Sequence, residues 1–431
     1  MLGEGSCLVP VRGKRATWGG LAKAALLASV LLGSAGSAAF VLHRQPNTRL
    51  MHTPVMPLPA YLEPVVDPVF GTPFMRITDP GHAVLPGVLC DVALCTHRYS
   101  ISQAWNADQS LLVIAHGCAH GFCFLDGQTY QPLFHRPMPN ECEWSPTDAA
   151  LMICVSRREI YIWEPRSNKK TTIYRPQDYS NLDFGPWKGN PSDDGTRLVV
   201  RATDSRGQRV AFAYDIPART KFPDIRLTEL PGRNDHCSIS PSGLYVGCFQ
   251  TTAGDINEAF FFTFEGKPVQ HFKEHHRPGH GDMAIDSDGS EVYVGISKSD
   301  PDKWHVIKRR IEDGAVTTLS PSGYGQHASM RNIRRPGWVF VTFTGRYSDL
   351  VTRPERAPYY QEVVAMRIDG SGIVRRIVHT RSAKHDYWSE TRASPSPDGS
   401  QVIWSSNWGK AGGPVSDYVA RLNWEPELAG E

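Results

Sequence analysis

The chain has 431 residues, 40% of them hydrophobic and 21% charged, a globular composition that excludes a disordered or fibrous protein. Glycine (38) and proline (33) separate short runs of Tyr, Trp, Val, Ile and Thr, and long amphipathic helical patterns are missing, which predicts an all-β protein of many turns. The formal charge of +2 becomes −1 once residues 1–39 are removed, leaving no global basic field to gather nucleic acid.

The N-terminus comes first and stands apart. Arg12, Lys14, Arg15 and Lys23 precede an uncharged stretch over residues 24–42 that ends in small residues suited to signal-peptidase cleavage near Ser37–Ala39. The same stretch is long enough for a signal anchor. Residues 1–43 are therefore expected to be a cleaved signal peptide or a helix over residues 21–42 that holds the protein in the inner membrane. Both predict a periplasmic or extracellular domain. Cys7 lies before the apolar run and is not placed for lipidation. Residues 44–61 read as a linker, 62–425 as the folded domain and 426–431 as a tail.

Within the domain, a polar Pro/Asp/Gly turn followed by an apolar strand recurs seven times. The turns open at "WNADQSLLVIA" (Trp105), "WSPTDAALMICV" (Trp144), "GNPSDDGTRLVVR" (Gly189), "SISPSGLYVGCF" (Ser238), "AIDSDGSEVYVGI" (Ala284), "NIRRPGWVFVTF" (Asn332) and "PSPDGSQVIWSS" (Pro395). Their period is in the forties with a longer last step, as in propeller blades, and predicts a seven-bladed β-propeller. A pair of β-sandwiches would space its turns more closely. Residues 62–78 are expected to supply a strand that closes the ring, and residues 346–362 a loop insertion.

Eight cysteines follow residue 39, an even number in an oxidising compartment. Cys142 with Cys154, and Cys237 with Cys248, flank equivalent turns at nearly matching distances, which predicts two cross-strand disulfides. In "HGCAHGFC", Cys118 and Cys123 read as a disulfide or packed thiols rather than a zinc site, whose standard spacing is absent. Cys90 and Cys95 form the remaining candidate pair.

Upstream of each turn stand polar residues that a propeller would gather at one mouth of its channel. They are His97 with Tyr99, Glu141 with Glu143, Asp183, His236, His280 with Asp282, Gln326 with His327, and His385 with Glu390 and Arg392. Imidazoles and carboxylates in one cup suit a transition metal or acid/base chemistry near neutral pH, and equally a wet channel wall. Phosphate loops, the Gly-x-Ser-x-Gly elbow and Cys-x-x-Cys pairs are missing from the sequence.

The order of these motifs resembles the oligogalacturonate lyase family of seven-bladed polysaccharide lyases, and more loosely the TolB-type, WD40-like propellers. The likeness rests on "THRYSISQAWNADQS", "HCSISPSG", "GHGDMAIDSDG", "QHASMRN" and "SPSPDGSQVIWSSN", and spans roughly residues 62–425. It implies cleavage of uronate-containing chains by β-elimination, with His236 in the place of the base and His280 near one ligand of a manganese site. Where the family has His-x-His before the final turn, this chain has Glu390 and Arg392.

The substitution has a chemical reading. β-Elimination beside a uronate needs its carboxylate charge quenched, a base, and a proton donor for the leaving oxygen. Arg392 suits bidentate capture of the carboxylate in place of a metal. Glu390 would hold the arginine or join His280 and His327 on a residual divalent cation, with His327 as the alternative acid; His97, Tyr99 and Asp282 are the expected substrate contacts. The competing expectation is a non-catalytic periplasmic module that grips a protein partner, since the fold does not choose among functions.

Overall fold

The computed structural model describes residues 48–137, 141–185, 188–252, 256–275, 279–345 and 351–424. The signal peptide or anchor expected over residues 21–42 lies outside them. Among the described residues no helix is long and apolar enough to cross a membrane.

Each repeated turn closes an inner hairpin, and its sequence follows from hydrogen bonding. The first turn residue offers a side-chain oxygen to a backbone N–H five residues on: Ser192 to Arg197 (2.9 Å), Ser240 to Tyr245 (3.0 Å) and Ser396 to Gln401 (3.1 Å). Aspartate at the third position accepts from the N–H two residues on, as Asp194 does from Thr196 (3.0 Å) and Asp398 from Ser400 (2.8 Å). The fourth position turns left-handed, with φ of +72° at Gly195 and +70° at Gly399, which favours glycine.

Seven blade sheets result, antiparallel from strand to strand along each blade; a separate hairpin pairs Ala83–Leu85 with Val88–Leu89, and Leu94–Cys95 adds a short parallel pairing to Val415–Arg421. The second blade runs Glu141–Trp144, Met152–Ser156, Glu159–Glu164 and Lys169–Tyr174 from the axis outward, and the fourth, fifth and sixth repeat that order. The third ends in two short outer strands, Thr220–Lys221 and Ile225–Arg226. In the first, Leu111–Cys118, Gly121–Asp126 and Pro132–Pro137 form the sheet, and the inner edge is an irregular segment joined by the Thr96↔His116 and Trp105↔Leu112 bridges.

The expected ring closure is present. Pro73–Arg76 pairs with Val415–Arg421 in the register Phe74↔Ala420, Met75↔Val419 and Arg76↔Tyr418, so the seventh blade takes its outer strand from the N-terminal side of the domain. Closing the ring removes the free edges that an open stack of sheets would expose.

The core is divided among the seven gaps between blades. Strand alternation sends Leu198 and Val200 into the cluster shared with the second blade, and Val199 into that shared with the fourth. Middle strands are therefore buried on both faces, as in Glu291–Ile296 and Trp338–Phe343. The insertion falls between the second and third strands of the sixth blade and contains a short 3-10 turn, Pro354–Arg356; its residues 346–350 lie outside the described set.

All four expected cysteine pairs are disulfides. Cys142 faces Cys154 and Cys237 faces Cys248 directly across inner hairpins, with Cα separations of 4.1 and 4.2 Å. Cys90–Cys95 and Cys118–Cys123 pair locally. Both thiols of "HGCAHGFC" are thus withdrawn from metal binding.

Asp67 fastens the segment leading to the closing strand. Its buried carboxylate accepts from the backbone N–H groups of Val69 (3.0 Å) and His379 (3.1 Å), from His379 Nδ1 (3.2 Å) and from Arg381 Nη1 (3.1 Å). Burial alone would raise its pKa, but the hydrogen bonds and charge of His379 outweigh burial and hold it well below the usual carboxylate range. The stabilisation is therefore complete above the unfolded carboxylate value, about pH 4, and is lost as pH falls through the depressed folded value. Asp67→Asn is expected to lower stability by about 3 kcal/mol in urea unfolding and to flatten the acid limb of the pH–stability curve. An unchanged midpoint would contradict this role.

Candidate functional site

The residues preceding the turns fall into two groups, according to whether another side chain or backbone group already engages them. Glu143 pairs with Arg98, the Phe184 N–H donates to Glu141 (2.9 Å), and Arg201 grips Asp183 through two bonds of 2.7 and 3.0 Å. Asp282 receives Arg331 in the same bidentate way, at 2.8 and 2.9 Å, and also the Met330 N–H (2.8 Å). Gln326 accepts from the Thr344 hydroxyl at 2.6 Å. These pairings brace the inner strands, between blades for Glu141, Glu143 and Asp282 and within one blade for Asp183 and Gln326, and Asp282 in particular is spent on Arg331.

His97 is likewise committed. Its Nδ1 lies 2.9 Å from Asp417 and its Nε2 2.8 Å from the backbone oxygen of Arg392. It is fully buried and fixes the backbone of Arg392, a positioning role for a residue expected to touch substrate.

The remaining residues converge on Tyr99. The Tyr99 ring meets the edge of His327 at 5.3 Å, and Arg392 and Lys188 both flank it, at 5.7 and 5.9 Å from its centroid. Lys188 pairs with Asp235 (2.8 Å), which in turn accepts from His236 Nδ1 (3.0 Å). His327 stacks on His280 at 4.3 Å and lies 3.7 Å from Glu390, which Lys384 approaches to 3.4 Å. Tyr99, His280, His327, Glu390 and Arg392 thus share one mouth, and His236 joins it through Asp235 and Lys188. The cations here, Lys188, Lys298, Lys384 and Arg392, outnumber the carboxylates Asp235 and Glu390.

Two of these residues adopt backbone conformations rare for L side chains: φ is +63° at His280 and +23° at Arg392. Such positions persist where the surroundings over-determine them, and they gather at functional sites. For Arg392 the restraints are the His97 contact to its carbonyl and the bond its guanidinium donates to the Tyr387 carbonyl.

Burial sets the protonation of the mouth. His236 is half-buried, stacked on Phe249 at 4.4 Å, and its pKa is lowered by desolvation; Asp235 opposes the shift, and Lys188 and Arg201 add to it. For Asp235, burial is overcome by His236 and Lys188, so its carboxyl stays ionised. An ionised Asp235 takes the Nδ1 proton and leaves Nε2 of the neutral ring with its lone pair. His327, wholly buried, is pushed well below the ordinary histidine range by desolvation and then by His280, Arg392, Lys384 and Lys298. Neither of its ring nitrogens has a hydrogen-bond partner among the described residues. The Tyr99 phenol is raised by burial, then by Tyr387, Glu390 and Asp235 against Arg392, and keeps its proton.

The expected divalent metal does not fit this donor set. Ligand lone pairs must converge on one ion, yet the His280 and His327 rings lie 19° from parallel, one above the other, so their in-plane lone pairs do not meet. Cations surround the pair, and no group of three metal-ligating side chains occurs among the described residues.

Lys188, Asp235, Lys384, Tyr387 and Trp388 were missed in the sequence. Asp235 had a signal, an acid adjoining a candidate base. Tyr387 and Trp388 sit on a loop, 53% and 40% exposed, beside the Arg392 guanidinium at 3.9 and 5.5 Å. His116 of "HGCAHGFC" backs Trp388 at 5.2 Å, with a pKa lowered to about 4 by burial and by Arg98 and Arg392.

Fold and mouth together define a seven-bladed β-propeller with a cationic, histidine-lined axial mouth. No family model and no curated protein matches the chain. Among solved structures, an oligogalacturonate lyase in complex with manganese aligns over 87% of this chain and 98% of its own at 14% identity and a TM-score of 0.57, a likeness that shows the fold. A hydrazine synthase of Kuenenia stuttgartiensis (76% and 95% covered, 14% identity, TM-score 0.44) aligns more loosely. So does a chain of a mitotic checkpoint complex (87% and 99% covered, 12% identity, TM-score 0.47).

The arrangement around His236 has a direct consequence for titration. Its NMR-detected pKa is expected below the ordinary 6.5, and Asp235→Asn is expected to lower it further by removing the opposing charge. A rise in the variant would show that Asp235 does not act on this ring.

Proposed function

We propose that this propeller binds a uronate-containing saccharide at the Tyr99 mouth and cleaves it by β-elimination. The observation that carries the reading is the placement of a neutral, aspartate-oriented His236 and the Arg392 guanidinium around one protonated phenol. In this reading Arg392 draws charge from the uronate carboxylate, which acidifies the adjacent C5–H. His236 Nε2 takes that proton, the C–H electron pair becomes the C4–C5 double bond, and the C4–O bond breaks. The leaving oxygen takes a proton from the Tyr99 phenol. Lys384 and Lys298 add to the positive field, and His280, His327 and Glu390 shape the wall. The oligogalacturonate lyase likeness supports the substrate class, and no step here runs through a metal.

Four disulfides suit an oxidising, extracellular or periplasmic compartment, where such polymers occur. A second reading, a non-catalytic binding module, is favoured by the exposed Tyr387 and Trp388, which would serve a saccharide or protein partner equally.

The test is ultraviolet absorbance of the unsaturated uronate during incubation with acidic polysaccharides. Turnover is expected to fall about a thousandfold in His236→Ala. Arg392→Lys is expected not to restore what Arg392→Ala loses, because a point charge lacks the bidentate fork. Unchanged rates in both positions would overturn the lyase reading; binding without turnover in the wild type would favour the module.

A further inference from the structure

The second position of the repeated turn points to another site. It is Ala107, Pro146, Pro241, Ile333 and Pro397 in five blades and Ser287 in a sixth, and only the third blade places an acid there, Asp193. Turn hydrogen bonds fix the equivalence: Gly195 N–H to Ser192 (2.8 Å), Gly243 to Ser240 (2.9 Å), Gly289 to Asp286 (3.0 Å), Arg335 to Asn332 (2.7 Å) and Gly399 to Ser396 (2.8 Å).

These residues lie at the opposite end of the channel from the Tyr99 mouth. Arg392 precedes and Pro397 follows the inner strand Ser394–Pro395 of the seventh blade, as His280 and Ser287 lie at the two ends of Gly279–Ile285 in the fifth. There Ala107, Pro146, Asp193, Ile333 and Pro397 line a recess open to solvent, with Trp144, Asn190 and Arg331 among the other walls. The lining is mostly apolar with a few convergent polar groups, the make-up of a small-molecule site.

Those polar groups are unevenly satisfied. Arg331 is neutralised by its bidentate pairing with Asp282, and Glu143 by Arg98. Asp193 donates its backbone N–H to the Pro241 carbonyl (2.8 Å), but its carboxylate has no hydrogen-bond or ion-pair partner among the described residues. The Asn190 carboxamide, on a residue 6% exposed, has none either. One net negative charge therefore stands at an apolar ring, beside an unused amide.

We infer that this turn-end cavity binds a small organic ammonium cation, with Asp193 as its counter-ion, Asn190 as a hydrogen-bond acceptor and the proline, tryptophan and isoleucine walls around its hydrocarbon body. Proton and ligand compete for the same carboxylate. Burial raises the Asp193 pKa to about 6; Arg331 opposes the rise, and Asp282, Glu291 and Asp194 add to it. The carboxylate is ionised above that value, so affinity for a cation falls as pH drops through it.

The site stands apart from the mouth and does not rest on the lyase reading. The test is calorimetric titration of the full chain with n-butylammonium, and with n-butanol as the uncharged match. The ammonium ion is expected to bind at pH 8 and the alcohol not to. Affinity is expected to fall roughly tenfold or more in Asp193→Asn, and in Asp193→Ser, which copies the fifth blade, as a lost charge-assisted hydrogen bond implies. The same loss is expected in the wild type at pH 5. Uronate binding at the mouth is expected to be unaffected by either variant. Equal affinity in the variants, equal binding of alcohol and ammonium, or no ammonium binding by a normally melting protein would each overturn the proposal.

Discussion

The pairing of Pro73–Arg76 with Val415–Arg421 closes the ring, and the geometry of the mouth depends on it. Asp417 lies on the second of these strands. Its backbone N–H donates to the Thr78 hydroxyl (2.8 Å), its carbonyl accepts from the Ile77 N–H (2.9 Å), and its carboxylate takes His97 Nδ1 (2.9 Å). His97 then contacts the Arg392 carbonyl through its other nitrogen. Two strands from opposite ends of the domain thus meet at the residue that positions Arg392, and an open ring would lose that restraint along with its seventh core cluster.

The mouth is an electrostatic consequence of the same packing. Blade contacts neutralise Glu143, Asp183 and Asp282 with arginines, so little negative charge is left facing the axis. What remains is a surplus of cations around histidines that burial keeps uncharged. Such a site is built for an anion. In a low-dielectric pocket, fixed cations cost no reorganisation when negative charge develops on a bound carboxylate, which is the demand of proton abstraction beside a uronate.

The sequence made the blades legible because turn chemistry recurs: Ser at the first position, Asp at the third and Gly at the fourth do the same work wherever they occur, and Asp286 and Asn332 take the first position in other blades. The hairpin disulfides were legible for the same reason, since register follows from the turn. The site was legible as an inventory and not as an arrangement. His280, His327, Glu390 and Arg392 gather around Tyr99 and His236 reaches it through Asp235 and Lys188, but which inner-strand groups stay available depends on partners distant in sequence. The Arg331 that occupies Asp282 is 49 residues away in sequence. Lys188, Tyr387 and Trp388 sit on irregular segments with no periodicity to mark them. Asp193 carried its signal openly, as the one acid at a position that is otherwise apolar or serine, and only the ring gave that exception a meaning.

The central claim, that the mouth recognises a carboxylate, is tested most directly by calorimetry with an acidic uronate trisaccharide and its methyl-esterified counterpart, which differ only in charge. The account predicts that the acid binds, that its affinity weakens as salt is added, and that the neutral ester does not compete. Equal affinity for acid and ester, or binding of the ester alone, would contradict it.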